Sequence, residues 1–181
     1  MIDIRQSIQY ANYLSKIGWE VERTNDINYF IKKLPLIGSV LKIHRQEEIR
    51  HKDIKALSKK YRIFQIIIEP DLTTSVRPVS HNSLYTRGYK LSKSPYLPSK
   101  TFQIDLTQPL SEITANFKKD ARYAVKRGGV TKITSSLSDL GKFHNAWKKS
   151  VKFTRFVPSY QSLINLQSSF STHKPIILTS H

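Results

Sequence analysis

The first third of the chain alternates between helical and strand-like spacing of its apolar residues. Helical spacing predicts an amphipathic helix over about Ile4–Lys16, which Gly18 stops. Trp19–Arg23 and Ile27–Ile31 alternate as strands do, and Asn25-Asp26 between them is turn chemistry, so this part predicts a β-hairpin. The apolar positions of the predicted helix are Ile4, Ile8, Ala11 and Leu14.

The next segment predicts a strand, a helix and a second strand. Leu36–Ile43 forms a strand after Pro35, and Glu47–Lys60 is a helix with apolar residues on one face and Lys, Arg and His on the other. Ile63–Ile68 is an almost continuous apolar run that Glu69-Pro70 ends, which predicts a strand buried on both faces.

The middle of the chain contains a long connection and then a strand before a basic helix. Residues 71–99 are rich in Ser, Pro, Arg and Tyr without periodicity, and such long connections in compact domains tend to be functional. Thr101–Leu106 predicts a strand. Ser111 with Glu112 opens a predicted helix that runs to about Arg127 and ends at Gly128-Gly129. The buried stripe of this helix is predicted to be Ile113, Phe117, Ala121 and Ala124.

The last segment predicts a β-α-α-β unit. Its elements are a strand at Val130–Ser135, helices at Asp139–Val151 and Pro158–Phe170, and a strand at Pro175–Thr179. A unit of this size is too small to bury its own core. We therefore expect it to pack on the preceding unit or to begin a larger domain.

Composition indicates a folded protein. The 181 residues suffice for one ordinary domain or two small ones, and 39% are hydrophobic. There is no Cys, which excludes disulfides, thiolate nucleophiles and Cys-ligated zinc, and which fits a reducing compartment. The N-terminus has no apolar central run, and no apolar segment approaches the roughly 20 residues of a membrane span. The sequence therefore predicts a cytoplasmic soluble protein.

Charge is the strongest compositional signal. The formal net charge is +17, from 30 Lys and Arg against 13 Asp and Glu, and residues 113–181 hold 12 of these cations against only Asp120 and Asp139. Such a field attracts RNA, DNA, anionic lipid or phosphorylated small molecules. The alternative is a generally basic protein whose Lys side chains are simply solvated.

The predicted basic helix is the best candidate site. Like charges aligned on one helix face repel one another, and a bound phosphate backbone or diphosphate would relieve that repulsion. The alternative is again a solvated helix face. One row of the helix contains Lys118, Arg122 and Lys126, and the adjacent row contains Lys119, Tyr123 and Arg127.

Several other classes of site have no support in the sequence. Gly128-Gly129 follows a helix, so neither a dinucleotide loop nor a phosphate-binding P-loop is present. The six His residues are scattered, and there is no G-x-S-x-G nucleophile elbow. We expect no metal and no bound cofactor.

A series of short motifs runs along the chain. They are Gln6-Ser7 with Tyr10, Gly18-Trp19, Glu69-Pro70, Gly88-Tyr89, Lys100-Thr101 through Asp105-Leu106, the Phe117–Gly129 helix, and Lys152-Phe153-Thr154-Arg155-Phe156. In their order and spacing these motifs resemble the FemXAB aminoacyltransferases, which add amino acids from aminoacyl-tRNA to the peptide of a peptidoglycan precursor. The resemblance covers essentially the whole chain.

The resemblance implies an α/β (α+β) fold built from two GNAT-like acyltransferase halves. Residues 1–112 would form a nearly complete first half, and 113–129 the connecting basic helix. Residues 130–181 would match only the β-α-α-β start of the second half. The chain thus resembles a truncated member, located in the cytoplasm or at the inner face of the membrane with peripheral contact to it.

The resemblance also implies a mechanism in which the free amine of the precursor's peptide attacks the aminoacyl ester carbonyl and the tRNA hydroxyl leaves. This reaction needs positioning and proton transfer more than a covalent nucleophile. The tRNA or phosphate would meet the cations of the basic helix, and the precursor, lipid-linked or UDP-linked, would meet a second group. That substrate-binding group is Lys152, Arg155, Lys16 and Tyr10, with Asn12 near it; Asp105 is expected to be structural.

Two other functions stay open. An acetyl-CoA-type N-acyltransferase on the same fold would use a glycine-containing loop between a strand and the next helix, whereas the junction here reads His44-Arg45-Gln46-Glu47-Glu48. The other is a non-catalytic tRNA- or RNA-binding remnant, for which the positive charge of the chain is the only support.

Overall fold

The computed structural model describes residues 3–46, 48–70, 81–93, 104–128, 131–134, 136–151, 155–170 and 177–180. Within these residues the chain is a mixed α/β protein. A 3-10 helix at Ile4–Gln6 precedes the first α-helix. The α-helices are α1 (Ile8–Lys16), α2 (His51–Tyr61), α3 (His81–Tyr85), α4 (Leu110–Ala115), α5 (Lys119–Arg127), α6 (Leu137–Val151) and α7 (Tyr160–Ser169). The strands are β1 (Glu20–Thr24), β2 (Ile27–Leu34), β3 (Gly38–Gln46), β4 (Ile63–Pro70), β5 (Thr131–Thr134) and β6 (Ile177–Ser180).

Four strands form one sheet in the order β1-β2-β3-β4. The first three are antiparallel neighbours, and α2 then crosses over so that β4 pairs in parallel with β3. Register places Leu41 beside Ile66 and His44 beside Glu69. The parallel pair therefore has both carboxyl ends at the same edge of the sheet.

The β1–β2 turn confirms the predicted hairpin. Asn25 and Asp26 both have positive φ, 49° and 64°, as the central residues of a two-residue hairpin require. The β2–β3 turn is also tight, since Gly38 has φ 120° and a Cβ there would lie 2.5 Å from the carbonyl oxygen of Arg62. Only glycine fits at that position.

The core of the sheet lies on the face that α2 covers. Tyr29, Ile31, Leu41 and Ile43 alternate along β2 and β3 on this face and pack with Ile54 of α2. The Tyr29 hydroxyl donates a hydrogen bond of 3.1 Å to the Asp53 carboxylate at the start of α2. On the opposite face the ring of Phe30 meets that of Tyr10 edge-on at 5.8 Å, which seats α1.

The first predicted helix is interrupted. Ser7 ends the 3-10 helix and caps α1, its hydroxyl accepting a hydrogen bond from the Tyr10 N–H. Ala11 and Leu14 are buried as predicted, whereas Ile4 and Ile8, at and before the start of α1, are exposed.

The expectation that Ile63–Ile68 is buried on both faces is wrong. β4 pairs only with β3 among the described strands, and Phe64 and Gln65 are exposed. Ile63, Ile66 and Ile68 are only partly buried and pack against the core cluster that includes Ile54 of α2. Among the described strands the apolar run therefore forms an edge strand, none of whose residues is fully buried.

The predicted basic helix is two helices. α4 begins at Leu110, with Pro109 before it, and ends at Ala115; Lys118 has extended backbone, so α5 starts afresh at Lys119. Of the predicted buried stripe, Ile113 and Phe117 are half-buried, but Ala121 and Ala124 are exposed. The face of α5 that was predicted to be buried is therefore exposed.

The predicted strand at Thr101–Leu106 lies partly outside the described residues. Its described end, Ile104–Leu106, is not a strand. Asp105 instead accepts hydrogen bonds from the backbone N–H and the hydroxyl of Thr107, at 2.9 and 2.7 Å. These two bonds lower the pKa of Asp105.

The chain divides into two compact units. One contains Met1–Leu97 with Gln161–His173, and the other contains Pro98–Tyr160 with Lys174–His181. In the second unit β5 pairs antiparallel with β6, and α6 buries Leu140 and His144. The His144 ring nitrogen Nε2 lies 2.9 Å from the carbonyl oxygen of Pro158.

No helix among the described residues is both long and apolar enough to cross a membrane.

Candidate functional site

The cations of α5 are all presented to solvent. Every residue from Lys118 to Gly128 is exposed, so the helix has no buried face. The only acidic residue of the helix is Asp120, and none of its cations forms an ion pair with a described residue. The cations are Lys118, Lys119, Arg122, Lys126 and Arg127.

An aromatic ring accompanies these cations. The Arg127 guanidinium stands 4.6 Å from the centroid of the Tyr123 ring, and the Tyr123 side chain is itself exposed. A stacked guanidinium and ring present a flat π-surface next to positive charge, an arrangement that suits a nucleotide base joined to its phosphate. The two rows predicted from the sequence therefore lie together on α5, apart from Lys118, which is the residue before the helix.

The predicted precursor-binding residues fall in different places. Tyr10 and Lys16 lie on α1 in the first unit, whereas Arg155 is an exposed residue of the second unit. Lys152 lies outside the described residues. The Lys16 ammonium donates a hydrogen bond of 3.0 Å to the Ser168 hydroxyl of α7.

Tyr10 belongs to an aromatic cluster beside the sheet. Its ring lies 5.8 Å from that of Tyr13 and 5.8 Å from that of Phe30, and Phe30 in turn lies 5.7 Å from the His44 ring. Burial raises the pKa of Tyr10, and the charge of Arg5 opposes this shift. Tyr10 is therefore a neutral phenol at neutral pH, able to donate a hydrogen bond.

A fully buried Asn fixes the N-terminal segment onto the sheet. The Asn28 side chain donates hydrogen bonds to the carbonyl oxygens of Arg5 and Ser7, at 2.9 and 3.0 Å, and accepts one from Arg23 at 2.7 Å. The Asn28 N–H donates to the side-chain oxygen of Gln6 at 2.8 Å, and the Gln6 amide nitrogen donates to the His44 carbonyl. This network holds the start of α1 next to the start of β2 and the end of β3.

A His–Glu pair in the first unit is a second candidate site. His44 Nδ1 lies 3.0 Å from Glu69 Oε2, and the two side chains are 12% and 16% exposed. They stand beside each other near the carboxyl ends of β3 and β4, the edge at which parallel sheets commonly bind ligands.

Burial decides the charge state of this His. Desolvation lowers the pKa of His44, and the hydrogen bond from the ring to Glu69 only partly opposes it. The ring is consequently neutral at pH 7. In a neutral imidazole whose Nδ1 donates to a carboxylate, Nε2 is the basic nitrogen, so the pair can accept a proton.

Sequence reasoning did not find this pair. His44 and Glu69 are 25 positions apart, and only the parallel register of β3 and β4 brings them together. The sequence did contain a signal for this pair. A helix predicted between two strands implies a parallel crossover, and polar residues at the carboxyl ends of two such strands lie close together.

The described residues contain no group of His, Cys, Asp or Glu side chains that could hold a metal ion.

Comparison with models of known protein families finds no match to this chain, and comparison with curated proteins finds none either.

Proposed function

We propose that this chain is an aminoacyltransferase of the FemXAB type, which transfers an amino acid from aminoacyl-tRNA to the stem peptide of a peptidoglycan precursor. The observation that carries the proposal is α5, a helix exposed on all sides whose cations have no acidic partner among the described residues. Because these cations are exposed and no described acidic residue neutralises them, they favour an external polyanion.

The topology of the first unit supports the part of this proposal that concerns an acyltransferase-like fold. Three antiparallel strands lead through α2 to a parallel fourth strand, as expected of a GNAT-like half. The junction between β3 and α2 has no glycine, and Arg50, the residue before α2, makes no side-chain cap. An acetyl-CoA pyrophosphate is therefore a poorer candidate here than an acyl donor held by its RNA.

The His44–Glu69 pair would supply the proton transfer that the reaction needs. The amine of the stem peptide attacks the ester carbonyl carbon, a C–N bond forms, and the bond to the tRNA ribose oxygen breaks. His44 would accept the proton that the attacking nitrogen loses, and Glu69 would stabilise the resulting imidazolium. The departing ribose oxygen would then take up that proton.

A transfer assay tests the proposal. The purified chain is mixed with tRNA carrying a labelled amino acid and with a lipid-linked or UDP-linked precursor, and the label is followed into the precursor. Transfer that is lost on RNase treatment supports the proposal. His44→Ala and Glu69→Gln should each lower the rate by about 10²-fold or more, in the range of general acid–base catalysis.

The same assay identifies the alternative. Salt-sensitive tRNA binding without any transfer would support a non-catalytic RNA-binding module, for which α5 is also the supporting observation. Transfer from acetyl-CoA in place of aminoacyl-tRNA would indicate the acetyl-CoA-type enzyme. Absence of both transfer and tRNA binding would contradict the proposal.

A further inference from the structure

The turn between β2 and β3 exposes apolar side chains. Leu34 pairs with Gly38 at the end of the two strands, and Pro35, Leu36 and Ile37 form the turn between them. Leu36 is fully exposed and Ile37 is 66% exposed. Turns of this kind normally carry polar residues or glycine, because their side chains contact only water.

A third apolar side chain joins them from β4. Phe64 is 54% exposed, and its Cδ1 lies 3.5 Å from where a Cβ of Gly38 would stand. The close approach of Gly38 to the Arg62 backbone thus brings the start of β4 against the base of the turn. We name Leu36, Ile37, Phe64 and Arg62 the hairpin-tip patch.

The cations around the patch differ in how they are neutralised. Lys33 is paired with Glu20 at 2.7 Å, and Lys60 with Glu22 at 2.6 Å. Arg62, the residue after α2, has φ 51°, is exposed and forms no ion pair with a described residue. The patch therefore combines an apolar tip with adjacent positive charge.

We propose that the hairpin-tip patch docks on the surface of an anionic lipid bilayer, with Leu36, Ile37 and Phe64 entering the interface and Arg62 contacting lipid phosphates. Apolar side chains with flanking cations are the combination that binds such surfaces. An RNA would leave the apolar tip in water. A second copy of a chain with net charge +17 would bring like charges together.

Vesicle binding of the full chain tests the proposal independently of any tRNA or transfer activity. The probes are vesicles of phosphatidylcholine with about one third phosphatidylglycerol, and vesicles of phosphatidylcholine alone. Leu36→Asn with Ile37→Ser should weaken binding to the anionic vesicles by about tenfold or more, since two apolar side chains leave the interface. Asn tolerates the positive φ of 68° at position 36, so the variant should melt as the parent does.

A matched control removes exposed apolar residues elsewhere. Leu106 and Leu110 are exposed in the second unit, and Leu106→Asn with Leu110→Ser should leave vesicle binding unchanged. A charge variant, Arg62→Gln, should reduce the salt-sensitive part of the binding and leave the part that persists at high salt.

A reporter at the tip gives a direct readout. Ile37→Trp should show a blue-shifted emission on anionic vesicles and should be quenched by brominated lipid. Equal binding of the tip variant and the parent, or an unquenched Trp in the bound state, would overturn the proposal. Concentration-dependent self-association that the tip variant abolishes would overturn it too, and would assign the patch to a second copy.

Discussion

His44 Nδ1 donates a hydrogen bond to the Glu69 carboxylate across two parallel strands, with 3.0 Å between Nδ1 and Oε2. Because burial lowers the pKa of His44 below its ordinary value, the unfolded chain binds a proton at this residue more readily than the folded one. The stability that the neutral, buried His44 ring contributes to the folded state is therefore complete above the ordinary His pKa of about 6.5. It is lost as the pH falls below that value.

We expect the parent protein to lose more stability than His44→Gln between pH 7 and pH 5, measured by urea unfolding at each pH. Burial also lowers the pKa of His51, so His51→Gln serves as the comparison that separates the two residues. If the free energy of unfolding of His44→Gln falls with pH as that of the parent does, the His44 ring is not the cause of the loss.

Replacing the buried Asn28 should destabilise the first unit. Asn28→Ala leaves the carbonyl oxygens of Arg5 and Ser7 without their side-chain donor, and we expect a loss of about 2–4 kcal/mol in the free energy of unfolding. The control Asn12→Ala removes an exposed Asn from α1 and should cost less than about 0.5 kcal/mol. Similar midpoints for the two variants would show that the network around Asn28 adds no net stability.

Two glycines with positive φ should respond differently to the same substitution. Gly38→Ala meets the Arg62 carbonyl at 2.5 Å, whereas Gly88→Ala at φ 84° meets nothing within 4 Å. We expect Gly88→Ala to cost about 1–2 kcal/mol, from its backbone conformation alone. Gly38→Ala should cost more than about 3 kcal/mol, because strain and steric overlap add. Thermal or urea unfolding gives the order directly, and the reverse order would contradict the turn geometry.

The cations of α5 should set the salt dependence of tRNA binding. Lys119→Gln, Arg122→Gln and Lys126→Gln together should reduce the slope of log Kd against log salt by about 2–3 units, as expected if each contacts one phosphate. The control removes as many exposed cations from other helices, Lys52→Gln, Lys55→Gln and Lys149→Gln. A slope that falls equally in both variants would indicate a diffuse field and no localised contact at α5.

The sequence was most informative where a local rule decides the backbone. Asn25-Asp26 predicted the hairpin because few other residue pairs tolerate positive φ at both turn positions. The α2 helix and the strands on either side also follow from spacing and lie within a few residues of their predicted bounds.

Long-range relations were not accessible in the same way. Helical periodicity runs through Asn116, Phe117 and Lys118 without a gap, so the break between α4 and α5 leaves no trace in the spacing. Burial of β4 on both faces was inferred from its composition, but which face is covered depends on neighbouring elements. The His44–Glu69 pair likewise depends on register alone.

The exposure of α5 has a consequence for its own order. The helix is only nine residues long, and helices of that length are marginal in water unless one face packs against other elements. A bound phosphate backbone would offset the mutual repulsion of its cations and so stabilise the helix. Amide hydrogens of Arg122–Lys126 should therefore exchange with solvent quickly in the free chain and slowly when such a ligand is bound, and the ligand would then complete the local fold.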